Sequence, residues 1–192
     1  MEVKIKRIIL IVPLIIIVCC SMTSFSVGKK FNDEKDEILW SKNRKLTWED
    51  FKGIPDRTDS LTVAGTTSTI KFEYSTTKNM ITNYKLQSIF IKSKSWTITN
   101  SIQLLAHEQL HFDITELYAR KIRKSFDSLR MRKNYNEENY TSIYNSNIVK
   151  SHDLNKLYDN EVFGNNINQN QWIKKISNEI LKLRKYECLP DD

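Results

Sequence analysis

One stretch constrains this chain more than any other: Leu104, His107, His111, Ile114 and Tyr118 recur at spacings of three and four, the period of a helix that buries one stripe. Leu110 and Leu117 stand beside that stripe, and Asn100 with Gln103 three residues later fits a capping box at its start. The spacing therefore predicts a long, mostly buried helix from about Asn100 to Ile122. At about 100° per residue, His107 and His111 lie roughly 40° apart around the axis and one turn apart along it, so both rings can meet one cation. Burying two neighbouring imidazoles beside Glu108 without a cation would be costly. The run His107-Glu-Gln-Leu-His111 thus points to a metal, and zinc, which takes nitrogen ligands tetrahedrally, suits the arrangement. Glu108 projects from the edge of the same face, where it can take a proton from a water that the ion has acidified.

Two histidines do not complete a catalytic zinc site, which ordinarily takes a third protein ligand and leaves a fourth position for water. Asp113 and Glu116 point away from the midpoint of the histidines by roughly 140° and 160°, so neither closes the site. The third ligand has to come from elsewhere, and His152, Asp153, Asp159 and Glu161 are the candidates. Asp113 is read as an acceptor that could orient a ligand, and Glu116 with Arg120 as an i,i+4 surface pair. Tyr158 is a candidate donor to a tetrahedral oxyanion, with core packing as its simpler role.

The N-terminus has a different character. Lys4, Lys6 and Arg7 precede an apolar run from Ile8 to about Cys20, and Ser24 and Ser26 flank Phe25, the layout of a secretory signal spanning 1–26. The run is too short for a comfortable membrane span. Export to a periplasmic, cell-envelope or extracellular location is expected, with lipid anchoring through Cys19 or Cys20 as the variant; any membrane association would come only through these features. Removal of 1–26 takes Lys4, Lys6, Arg7 and Glu2, which lowers the net charge from +7 to +5. That mild excess is spread over polar positions, no nucleic-acid motif accompanies it, and a nucleic-acid partner is not expected. Of the cysteines only Cys188 would remain, so no intramolecular disulfide is available.

The segment 27–45 is polar and charge-rich and reads as a linker. Thr47, followed by Trp48, Glu49 and Asp50 and then Gly53 and Pro55, predicts one short helical turn. From Leu61 to Tyr74 β-branched residues dominate, and Ile70, Phe72 and Tyr74 alternate with Lys71 and Glu73; a second strand is expected from Tyr84 to Ile91, antiparallel to the first across polar 75–83. Helices are expected over about 138–160 and 168–186, with 165–170 as a loop or frayed start. Strands first and helices after them suggest an α+β fold, in which a small antiparallel sheet packs on the long zinc-binding helix and C-terminal helices complete a domain over 46–186, ahead of a short tail at 187–192.

Several of these residues together resemble a known family. Leu46-Thr-Trp-Glu-Asp-Phe-Lys-Gly53, Ala64 and Thr66 before Ile70-Lys-Phe-Glu-Tyr74, Lys94-Ser-Trp96, His107-Glu-Gln-Leu-His-Phe-Asp-Ile114, Tyr158-Asp159 and Trp172 are similar to the bacterial domain-of-unknown-function family described as predicted secreted zinc-dependent proteases. The resemblance covers roughly 46–172. It implies a minimal zincin-like hydrolase, with His107 and His111 on zinc and Glu108 as base, acting on a peptide or protein. The sequence departs from the family after Tyr158-Asp159, where Asn160-Glu-Val-Phe-Gly164 holds no histidine; the expectation is then Asp159, Glu161 or His152 as third ligand, or weak metal binding. The other expectation is an inactive envelope interaction protein on the same scaffold. An extended substrate is expected along an edge strand, with Tyr84 to Ile91 as the candidate.

Overall fold

The computed structural model describes residues 4–8, 36–55, 62–162 and 166–188. It is an α+β structure with a small antiparallel sheet and three long helices. Strands β1 (Lys4–Ile8), β2 (Glu37–Leu39), β3 (Ala64–Gly65), β4 (Ser68–Thr77), β5 (Met80–Ile91) and β6 (Trp96–Thr97) precede helices α1 (Ile102–Met131), α2 (Glu137–Val162) and α3 (Asn166–Lys182). The main sheet runs β1-β4-β5-β2, and β3 and β6 form a separate two-stranded ladder.

The β4–β5 hairpin is longer than the sequence suggests. Its turn is only Lys78-Asn79, both at positive φ (52° and 58°), which is the twist that two-residue hairpin turns require. The polar residues around the turn are therefore paired, with Thr77 opposite Met80 and Ser75 opposite Asn83, across a register shift between Ser75 and Thr76. On β4, Ile70, Phe72 and Tyr74 are buried as the alternation demands. Phe72 meets Phe126 of α1 and Tyr144 of α2, with ring centroids 5.2 and 5.3 Å away. The Tyr144 hydroxyl also donates to the Ile70 carbonyl at 2.8 Å.

Helix α1 is about 45 Å long at 1.5 Å per residue and touches β4 and β5 as well as α2 and α3. Its N-cap is Ser101, whose hydroxyl accepts from the Leu104 amide; Asn100, the residue expected there, lies one position too early. The helix continues past Ile122 because Phe126 and Leu129 extend its buried stripe. Among 165–170, residues from Asn166 onward are helical. Their polar side chains find partners in neighbouring helices: Gln169 Nε2 donates to the Gln103 carbonyl and Asn168 Nδ2 to that of Glu161.

The segment read as a linker is in part structural. Glu37–Leu39 pairs with Ile91 to Ile89 of β5, and Ile38 and Trp40 are buried. Strand β5 consequently has β2 beside it at Ile89–Ile91, so the edge expected over Tyr84 to Ile91 is already occupied across those three residues. Strand β1 lies antiparallel to β4, Lys4 opposite Thr76 and Ile8 opposite Phe72; the rest of the expected signal segment falls outside the described residues. No described helix is long and apolar enough to cross a membrane.

The turn Trp48–Asp50 forms where Thr47 introduces it. Asp50 accepts from the Thr47 amide at 2.8 Å and is gripped by both terminal nitrogens of Arg44. Gly53 follows because the chain presses on the Ser93–Ser95 turn: its amide donates to the Ser95 carbonyl at 2.7 Å, and a Cβ there would come within 2.9 Å of that oxygen. Trp48, Phe51 and Phe90 stack edge to face beneath it.

Candidate metal centre

The first half of α1 delivers His107, Glu108 and His111, and the last turns of α2 deliver Asn155, Tyr158 and Asp159. Three donor atoms converge. His107 Nε2 lies 3.0 Å from His111 Nε2, and Asp159 Oδ1 lies 3.2 and 3.0 Å from those two nitrogens. Ligands bonded tetrahedrally at about 2.0–2.1 Å stand roughly 3.3 Å apart, so the triangle has nearly the size that a zinc ion requires. Chemistry points the same way: two imidazole nitrogens and a carboxylate oxygen bring lone pairs to one point, which only a cation relieves, either a proton or a metal ion. Among the described residues this is the group able to hold such an ion.

Of the several third-ligand candidates, Asp159 is the one that joins the two histidines, its side chain half exposed at 51% against 18% for His107 and 16% for His111. Glu161 is directed elsewhere, its Oε2 accepting from Trp172 Nε1 at 2.9 Å. His152 is exposed and precedes Asp159 by seven residues, about 10.5 Å along the helix, too far to join the set. Asp153 is exposed as well and stands outside the cluster.

Each histidine is held by a different device. His111 Nδ1 lies 2.7 Å from Asn155 Oδ1, and its carbonyl accepts from Thr115 Oγ1, which is itself bonded to Ser68 on β4. His107 is covered by Tyr158, ring centroids 4.6 Å apart and planes 24° from parallel. Trp172 of α3 packs against Tyr158, ring centroids 5.5 Å apart. The Tyr158 residue is fully buried, its hydroxyl has no partner among the described residues, and burial pushes its pKa well up. The hydroxyl is therefore sealed into the protein in this arrangement, where the sequence left open its reaching an oxyanion.

Glu108 is buried, with only 5% of its surface exposed, and its Oε2 has no hydrogen-bond partner among the described residues. A buried carboxylate oxygen without a donor is expensive. The backbone around it is pinned by Thr66, whose hydroxyl donates to the Glu108 carbonyl at 3.3 Å. This bond sets the β3–β4 connection beside the motif.

The charges of the site hold one another. Burial opposes ionisation of Asp159, but hydrogen bonds from His107 and His111 outweigh it and keep the carboxyl well below the usual carboxylate range. Burial also opposes charge on His111. There the hydrogen bond to Asp159, with the negative charges of Glu108 and Asp159, prevails and raises the ring's pKa.

The two acids that helix geometry excludes as ligands act away from the site. Asp113 accepts from Trp40 Nε1 at 2.7 Å and from Gln109 Nε2 at 2.8 Å, while Gln109 Oε1 accepts from the Leu46 amide. It secures the chain before β3 to the motif helix and orients neither histidine. Glu116 and Arg120 do pair, at 2.8 Å, but both are buried rather than on the surface; Arg123 and Glu187 complete their network.

No family model, no curated protein and no solved structure matches this chain. The chemistry of the centre is read from its own side chains.

Proposed function

We propose that the chain is an exported zinc-dependent metallopeptidase of zincin-like design, which hydrolyses peptide bonds with activated water. The observation that carries this reading is the convergence of His107, His111 and Asp159 within hydrogen-bonding distance of one another, with the buried, unpartnered oxygen of Glu108 between the two histidines in sequence. A zinc ion held by these three residues would acidify a water molecule and polarise a substrate carbonyl. Glu108 takes the proton from the attacking water and returns it to the leaving amine. No nucleophilic side chain is needed, and no covalent intermediate forms.

Strand β3 of the β3–β6 ladder leads directly into Thr66, whose hydroxyl donates to the Glu108 carbonyl. We place an extended peptide along this ladder, in place of the β5 strand favoured by sequence alone. Export rests on the N-terminal cations and apolar run.

The test is cleavage of a broad peptide library by the zinc-loaded chain and by Glu108→Gln. Wild type cleaves, and the variant keeps its zinc while losing at least about a hundredfold in rate. Zinc held by a wild-type chain that cleaves nothing would instead support the inactive envelope interaction protein.

A further inference from the structure

His111 touches two side chains of α2 that lie one turn apart, Asn155 and Asp159, just as His107 and His111 lie one turn apart on α1. The two roles differ. Asp159 faces Nε2, the nitrogen aimed at the proposed metal position, whereas Asn155 faces Nδ1 on the opposite side of the ring.

The orientation of the Asn155 amide is settled by its other end. Its Nδ2 donates to the Ser151 carbonyl at 2.9 Å, one turn earlier on the same helix. Rotating the amide by half a turn would set Oδ1 against that carbonyl, two acceptors with no proton between them. Oδ1 therefore faces His111 and accepts, so Nδ1 of His111 carries the hydrogen and donates across 2.7 Å. In the neutral ring, a proton fixed on Nδ1 leaves the Nε2 lone pair for a cation.

We infer that Asn155 is a positioning residue: anchored to the Ser151 carbonyl, it fixes the tautomer and ring plane of His111 so that Nε2 is presented to the metal beside Asp159. This rests on the metal reading above and adds to it a residue that contacts neither metal nor substrate. Because one helix carries both the ligand Asp159 and the positioning group Asn155, a single register of α2 against α1 sets both at once.

The experiment compares wild type, Asn155→Leu and Asn155→Asp in the full chain. Zinc affinity is read by competition with a chromophoric chelator, helix content by circular dichroism, and the His111 Nδ1 proton by ¹H–¹⁵N NMR with and without zinc. Asn155→Leu is expected to keep its helix content, to bind zinc about 10- to 100-fold more weakly, and to lose the protected Nδ1 proton to exchange. Asn155→Asp restores an acceptor and is expected to bind at least as tightly as wild type. Equal affinity of wild type and Asn155→Leu, or failure of Asn155→Asp to recover what Asn155→Leu loses, would overturn the inference. A wild-type chain that takes up no zinc would overturn the metal reading alone. The Nδ1 proton still decides the role of Asn155 in that case: protected in wild type and exchanging in Asn155→Leu supports it, and unprotected in wild type refutes it.

Discussion

Tyr158 lies almost flat on His107, ring against ring at 4.6 Å, while its hydroxyl is shut away from solvent. The ring serves the site and the hydroxyl does not. Tyr158→Phe is accordingly expected to keep zinc affinity and hydrolysis within about threefold and to leave stability unchanged or slightly higher, because an unpartnered buried hydroxyl costs about 1–3 kcal/mol. Tyr158→Ala removes the ring and should cost about 3–5 kcal/mol in urea unfolding, as large aromatic truncations do. A hundredfold loss of rate in Tyr158→Phe would return the hydroxyl to the chemistry.

In the metal-free chain, stability should depend on pH in a defined window. Asp159 is depressed from its ordinary 3.8, so its contribution is present above that value and is lost as pH falls through the lower folded one. His111 is raised from its ordinary 6.5, so its contribution is complete below that value and is lost as pH rises through the higher folded one. The site without metal is most stabilising between about pH 4 and 6.5. Zinc reverses the alkaline limb, since the ion competes with protons for the same nitrogens. Melting temperatures recorded with chelator and with zinc should fall and rise, respectively, as pH increases above neutrality; parallel slopes would contradict this coupling.

Asp113 holds Trp40 and Gln109 in place, so Asp113→Ala strands the buried indole N–H and is expected to cost about 1–3 kcal/mol. Zinc affinity should stay within about twofold once the variant is folded, because Asp113 orients neither histidine. A selective tenfold loss of zinc affinity with unchanged unfolding would show that it does.

Glu116 and Arg120 lie at 2% and 1% exposure, where an unpaired charge is poorly tolerated. Arg120 also stacks on Trp40, 5.1 Å from the ring centre, and donates to the Ile180 carbonyl. Glu116→Ala leaves that guanidinium without its closest carboxylate and should destabilise by about 3–5 kcal/mol. A denaturation midpoint near that of wild type would mean that Glu187, 3.1 Å from Arg120, compensates.

What the sequence revealed follows from how local each feature is. The motif helix and its two histidines were legible because a 3.6-residue period is written within one segment, and the same holds for the alternation of Ile70, Phe72 and Tyr74. Asp159 could only be one candidate among several, because its meeting with the histidines depends on how α2 docks on α1. Asn155 went unread for the same reason: nothing local distinguishes it from the other asparagines of α2. Glu37–Leu39 looked like linker because three residues are too few to display a period and acidic neighbours mask them. The pairing of Glu116 with Arg120 was visible as an i,i+4 spacing, yet its burial comes from Trp40 and the C-terminal turn, both distant in sequence.

The most direct measurement is the metal content of the folded chain after exposure to zinc and removal of unbound ion. The account predicts about one zinc per chain in wild type and in Glu108→Gln, and loss of that zinc in His111→Ala and Asp159→Ala under the same dialysis. A folded wild-type chain that retains no divalent ion, or one whose zinc survives both His111→Ala and Asp159→Ala, would contradict it.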